Sequence, residues 1–212
     1  MIITYHKRAL VKVSLGDTTL AFNPLSKDGS EKPVKFGADL VFVAIDHPHY
    51  NGVDNATYGD RAPFVVDGPG EYEVNDVFVR GVGTLIQLGA QSYINSIFTV
   101  RLEDITLCHL GALNDKEAVN SDVREKIGTV DVVFVPISGE GALSPASAHK
   151  MATELQPSFI VPLYDGDTDA LQTFLKEEGK GAEKVEQQEK LVLKKKDIGG
   201  DTQVVVLGPQ SA

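Results

Sequence analysis

Residues 45–50 read Ile45-Asp46-His47-Pro48-His49-Tyr50 and directly follow the almost unbroken apolar run 39–45. A run of that kind is expected to be a strand buried on both faces. Two histidines at i and i+2, flanked by Asp46 and Tyr50, then stand in a loop at the carboxyl end of that strand. Imidazole and carboxylate groups so placed can converge on one point and hold a zinc-like ion. The spacing by itself equally describes a surface loop with two ordinary histidines.

Upstream and just downstream of this loop the chain reads as strands and turns. Segments 10–15 and 19–22 are separated by Gly16-Asp17, a hairpin signal. Segments 64–66, 77–82 and 93–102 follow, with Gly68-Pro69-Gly70 as a tight turn. In 93–102, Ile94, Ser96, Phe98, Val100 and Leu102 share one face, as expected of a half-buried strand. The second half alternates. Strands are expected at 105–109, 130–137, 158–163, 191–196 and 202–207. Helices are expected at 114–127, started by Asn114 with Glu117 reaching back, at 144–155, started by Ser144-Pro145, and at 168–178. Residues 177–190 read as a charged surface connection and 138–141 as a glycine-bearing loop. A strand-rich half followed by alternating strands and helices predicts an α/β protein with two sheets and helices packed outside, in one domain over 1–212.

Composition narrows the function. The chain has 212 residues and a net charge of −10, with a pI near 4.9. An acidic surface disfavours nucleic acid and anionic membranes as partners. The only cysteine, Cys108, lies in the apolar run 105–108, so no disulfide forms within the chain, and a reducing, cytoplasmic setting is expected. No apolar run approaches the length of a membrane span. Among the other histidines, His6 is expected at the surface near a strand end and His149 at the core boundary of a helix. Glu71 and Glu73 follow the Gly-Pro-Gly turn and are read as a solvated hairpin.

Several stretches in order carry a resemblance: 3–5 and 19–24, the run 38–43, Gly68-Pro69-Gly70-Glu71-Tyr72-Glu73-Val74, His109-Leu110-Gly111-Ala112-Leu113, and the strands 130–136 and 159–164. Together they resemble the metallo-β-lactamase superfamily, and within it short stand-alone hydrolases such as the L-ascorbate-6-phosphate lactonases. The resemblance covers nearly the whole chain. It implies a four-layer αββα sandwich with two mixed sheets and a two-metal hydrolytic centre at the strand ends. It also implies where the ligands should stand. The loop of that family reads Thr-His-x-His-x-Asp-His. Here Ile45 takes the place of the first histidine, His47 matches the second, His49 falls on the aspartate and Tyr50 on the last histidine. A further histidine is expected within 84–88, which has none; the bridging aspartate falls at Ala112 and the final histidine at Tyr164. Asn23 replaces an aspartate before Pro24, and an early Gly-His pair falls at Lys7-Arg8.

Isoleucine and alanine cannot coordinate a cation, and tyrosine, with a pKa near 10, is a poor zinc ligand at neutral pH. The expectation is a relative of these hydrolases without the two-metal centre and without a cofactor, its pocket formed by Asp46, His47, His49, Tyr50, His109, Tyr164 and Asp165. The alternative is a hydrolase of a small ester, lactone or phosphoester using a single zinc or manganese ion at His47 and His49. A small-molecule ligand is the expected partner, with a homo-oligomer through exposed sheet edges as a lesser expectation.

Overall fold

Gly16, with φ +56°, turns Val11–Leu15 (β2) back onto Thr18–Phe22 (β3). The left-handed conformation there is one that glycine adopts at little cost. Around this hairpin the computed structural model, which describes residues 1–29, 31–60, 62–139, 142–179 and 185–210, builds two sheets. The remaining strands are Ile2–Tyr5 (β1), Leu40–Phe42 (β4), Phe64–Val66 (β5), Gly70–Val74 (β6), Val77–Leu88 (β7), Gln91–Leu102 (β8), Ile105–His109 (β9), Val132–Pro136 (β10), Phe159–Leu163 (β11), Leu191–Val192 (β12) and Gln203–Val204 (β13). One sheet has six strands in the order β12-β1-β2-β3-β4-β5, and the other seven in the order β13-β11-β10-β9-β8-β7-β6. Both are mixed: β3-β4-β5 and β9-β10-β11-β13 run parallel, while their other neighbours are antiparallel.

The sheets pack face to face. Leu20, Phe22, Leu40 and Phe42 of the first share one core with Val79, Phe98, Val100 and Phe134 of the second. Phe22 stacks on Phe42 at 4.6 Å and meets Phe134 at 6.1 Å, and Phe42 meets Phe98 at 5.5 Å. Each such buried ring contributes roughly 1.5–3 kcal/mol by leaving water. Helices Ser121–Ile127 (α1) and Pro145–Glu154 (α2) pack on the seven-stranded sheet, and Thr168–Glu177 (α3) packs against α2. The outer face of the six-stranded sheet carries Ala21, Val41 and Val43, covered by Ala56 of a 3-10 turn, Val53–Ala56, and by Phe36. The expected sandwich of two mixed sheets with helices outside is present. Among the described residues no helix is long and apolar enough to cross a membrane.

Several expectations need correction. The helix expected over 114–127 is two elements. Asp115 caps a 3-10 turn, Lys116–Ala118, and Asn120 then caps α1, its Oδ1 accepting from the Val123 amide at 3.0 Å. Asn120 has extended backbone, φ −71° and ψ −178°, which interrupts the helix, while Asn114 donates to the Gln87 carbonyl. The strand expected at 77–82 runs on to Leu88, and Gly89 turns it into β8. In β8 the two-faced alternation fails: Asn95, Ser96, Ile97 and Phe98 are all buried and Ile94 is 65% exposed. The middle of β8 is covered on both faces, while Ile94, near the hairpin tip, is not. His6 is 7% exposed and not a surface residue. The closing strands shrink to β12 and β13, with a 3-10 turn at Lys195–Asp197. The connection 177–190 and the loop 138–141 fall partly outside the described residues.

Candidate functional site

After β4 the chain makes a tight turn. The His47 carbonyl accepts from the amides of Tyr50 at 2.8 Å and Asn51 at 3.1 Å. The turn sends the side chains of the quoted stretch in different directions. Ile45, 2% exposed, packs against Ile86 and Ala112 in a small apolar cluster. Asp46 points outward and accepts from Asn51 Nδ2 at 2.7 Å. His47, His49 and Tyr50 line a narrow cleft of about 40 Å³ with Arg8, Ala112 and Ser138. One liquid water occupies about 30 Å³, and small-molecule sites run to several hundred. Among the described residues the cleft is therefore of about the size of a water molecule. The rings of His47 and His49 are 4.9 Å apart, and His47 Nδ1 accepts from the His49 amide at 3.3 Å.

Arg8 carries the charge of this cleft. Its Nε donates to Glu31 Oε1 at 2.5 Å and lies 3.3 Å from Asp165 Oδ2; its amide donates to Asp165 Oδ1 at 2.9 Å. Lys7 Nζ lies 3.6 Å from Glu31 Oε2. Burial opposes the Arg8 charge, but the bond to Glu31 and the charges of Glu31 and Asp165 outweigh it and raise its pKa. Glu31 is lowered in return, because Arg8 and Lys7 outweigh its own burial. The Tyr5 hydroxyl fastens this corner, donating to the Arg8 carbonyl at 2.9 Å and accepting from the Asp165 amide at 2.7 Å. His49 is pushed down by burial, then by Arg8 and His47, so its ring is neutral at pH 7. Burial pushes Tyr50 up to about 12, so it stays a phenol. The cleft thus presents a neutral imidazole, a phenolic donor and a carboxylate-paired guanidinium.

The other expected residues stand apart from the cleft. His109 is fully buried at the end of β9. Its Nε2 faces the Ala9 carbonyl at 2.9 Å and its Nδ1 faces the Gly111 amide at 2.9 Å, which assigns the proton to Nε2. Both ring nitrogens are engaged, and Asn23 Nδ2 lies 3.4 and 3.5 Å from them. Tyr164 is 3% exposed; its hydroxyl accepts from Gln187 Nε2 at 2.8 Å. Asp165 reaches the cleft only through Arg8. His149 faces Glu178 at 3.2 Å and the ring of Phe174, as expected at a core boundary. Among the described residues no group of three or more His, Cys, Asp or Glu is placed to hold a metal ion. Sequence reasoning missed Glu31 and Ser138, whose buried Oγ has no partner among the described residues. It passed over Asn95, whose Oδ1 accepts from the Ala112 amide at 2.8 Å and whose Nδ2 donates to Thr84 Oγ1 and the Leu110 carbonyl.

Comparison with known proteins agrees with this architecture. The profile described as the beta-lactamase superfamily domain matches residues 2–164. A Thermotoga maritima protein described as a zinc-dependent hydrolase of the metallo-beta-lactamase superfamily is 26% identical, with 99% of each chain covered and a TM-score of 0.76. A protein of Parabacteroides distasonis described as a metal-dependent hydrolase is 11% identical over 98% of this chain and 93% of its own, with a TM-score of 0.65. The short form of human tRNase Z is 11% identical over 77% of this chain and 92% of its own, with a TM-score of 0.54. Among curated proteins none matches. The profile match spans most of the chain, and the fold and the order of its strands agree with it: this protein belongs to the beta-lactamase superfamily.

Proposed function

We propose that this chain keeps the hydrolase fold without the two-metal chemistry of its relatives and acts as a metal-independent binding or scaffold protein. The observation that carries this reading is the donor set at the strand ends. The positions that the resemblance assigns to metal ligands hold Ile45, Ala112 and Tyr164. The first two pack in an apolar cluster, and the hydroxyl of the third accepts from Gln187 Nε2. A catalytic zinc site needs about three protein ligands and an open position, so these residues do not fit the centre of the family. Arg8, held by Glu31 and Asp165, places a fixed positive charge at the cleft. Metal analysis of protein purified without chelator and without added metal tests the reading. Zinc, manganese and iron should each fall well below one ion per chain. A stoichiometric, tightly held ion would sink it.

A second reading is favoured by the proximity of the His47 and His49 rings. It is a hydrolase of a small ester, lactone or phosphoester, in the manner of the ascorbate-6-phosphate lactonases, with a single ion at these two residues. Its test is an esterase, lactonase and phosphodiesterase screen repeated with His47→Ala/His49→Ala. Activity lost in the double variant supports it; absence of activity in the native protein, or activity that survives, rejects it.

A further inference from the structure

A second concavity lies on the far side of the loop that holds Glu31. It is an open groove of about 710 Å³ lined by His6, Lys12, Lys27, Lys32, Lys35 and Phe36. Among the described residues none of these four lysines makes an ion pair. That is unexpected in a chain with 30 acidic residues against 20 basic ones. Four unpaired ammonium groups facing one concavity repel one another, and a bound anion relieves that repulsion.

The floor of the groove is formed by packed rings. Phe36 stacks against His6, with ring centres 6.1 Å apart, and Lys12 Nζ lies 4.9 Å from the centre of the Phe36 ring. The Phe36 amide is tied to the Asn55 carbonyl at 3.0 Å. His6, 7% exposed, lies 3.3 Å through Nε2 from Thr4 Oγ1, while its Nδ1 is buried with no hydrogen-bond partner among the described residues. Burial lowers the His6 pKa against the pull of the Gln210 backbone, and the Lys12 charge lowers it further.

We propose that this groove is a binding site for a small soluble compound carrying two or more phosphate groups. Lysine binds phosphate as a compact, flexible point charge, and the volume falls within the range of small-molecule sites. The concave shape favours such a ligand over a flat anionic membrane.

Isothermal titration with inorganic tripolyphosphate in metal-free, low-salt buffer tests this. One saturable site is expected, weakened by added salt and weakened about tenfold in Lys32→Gln/Lys35→Gln, equal to about 1.4 kcal/mol. The pair Lys150→Gln/Lys176→Gln makes the same change in charge outside the groove and should leave binding within about twofold. Circular dichroism confirms that each variant is folded. Three results overturn the proposal: no saturable binding at low-millimolar tripolyphosphate, equal weakening in both pairs, or lysine-dependent binding to phosphatidylserine vesicles without tripolyphosphate binding.

Discussion

His109 shows how one residue can carry the imprint of a family and a different physical task. Its ring is satisfied only when neutral, with Nε2–H donating to Ala9 and the Nδ1 lone pair accepting from Gly111. Burial pushes its pKa from the usual 6.5 down to about 4, against the hydrogen bond to Ala9. The unfolded chain therefore takes up this proton first as the pH falls. The stabilisation is complete above about pH 6.5 and is lost as the pH drops toward 4, roughly 3 kcal/mol across that window. Urea unfolding at pH 7.5 and 4.5 should show His109→Gln less stable at the higher pH and flatter in pH dependence by about one proton. Equal slopes would count against the assignment. Arg8 is the other decisive residue. Its side chain is 25% exposed, with Glu31 at 22% and Asp165 at 20%. Arg8→Ala removes the guanidinium from between two largely buried carboxylates. Among the described residues it leaves Glu31 only Lys7 and Asp165 only the residue 8 amide, and it should cost about 1–2 kcal/mol in urea unfolding. Arg8→Lys should recover only part of it, because lysine has no N–H at the Nε position that lies between the two carboxylates.

At the scale of elements, local chemistry was legible where it was unambiguous. Ser144 before Pro145 marked the start of α2, and its Oγ accepts from the Ser147 amide at 3.2 Å. Asn114 did not mark a helix start, because Asn120 offers the same cap six residues later and nothing local ranks the two. The structure ranks them: Asn120→Ala should cost about 1 kcal/mol in thermal or urea unfolding, and Asn114→Ala only a few tenths. A larger loss at Asn114 would restore the longer helix. The length of β7 was hidden for a different reason. The strand expected over 77–82 held Gly81 and stopped short of Gly83; both glycines lie against the Gly68-Pro69-Gly70 turn, where a Cβ on Gly81 would stand 2.8 Å from the Gly68 carbonyl oxygen and one on Gly83 would stand 3.0 Å from Pro69 Cγ. They make room within a strand and do not end it.

Across the whole molecule, the fold and the site are specified by different residues. Buried runs such as 39–45 and 130–137 form the sheets, and their order along the chain was readable. The ion pairs at the cleft join Arg8, Glu31 and Asp165, which belong to three distant segments, so no local spacing announces them. The apolar cluster beside the cleft is equally non-local, since Ile45, Ile86 and Ala112 come from three separate segments. This predicts how the molecule responds when a family ligand is put back. Ala112→Asp places a carboxylate, at a position 5% exposed, beside two isoleucines. It should destabilise the protein by about 2–4 kcal/mol at pH 7. The loss should shrink near pH 4, where burial keeps the new carboxyl neutral. Added zinc should not restore the melting temperature, because other positions that the resemblance assigns to ligands still hold Ile45 and Tyr164, an apolar side chain and a poor zinc ligand. A zinc-dependent rise of several degrees in Ala112→Asp, absent from the native chain, would mean that the cleft retains the geometry of a metal centre and would reject the metal-independent reading.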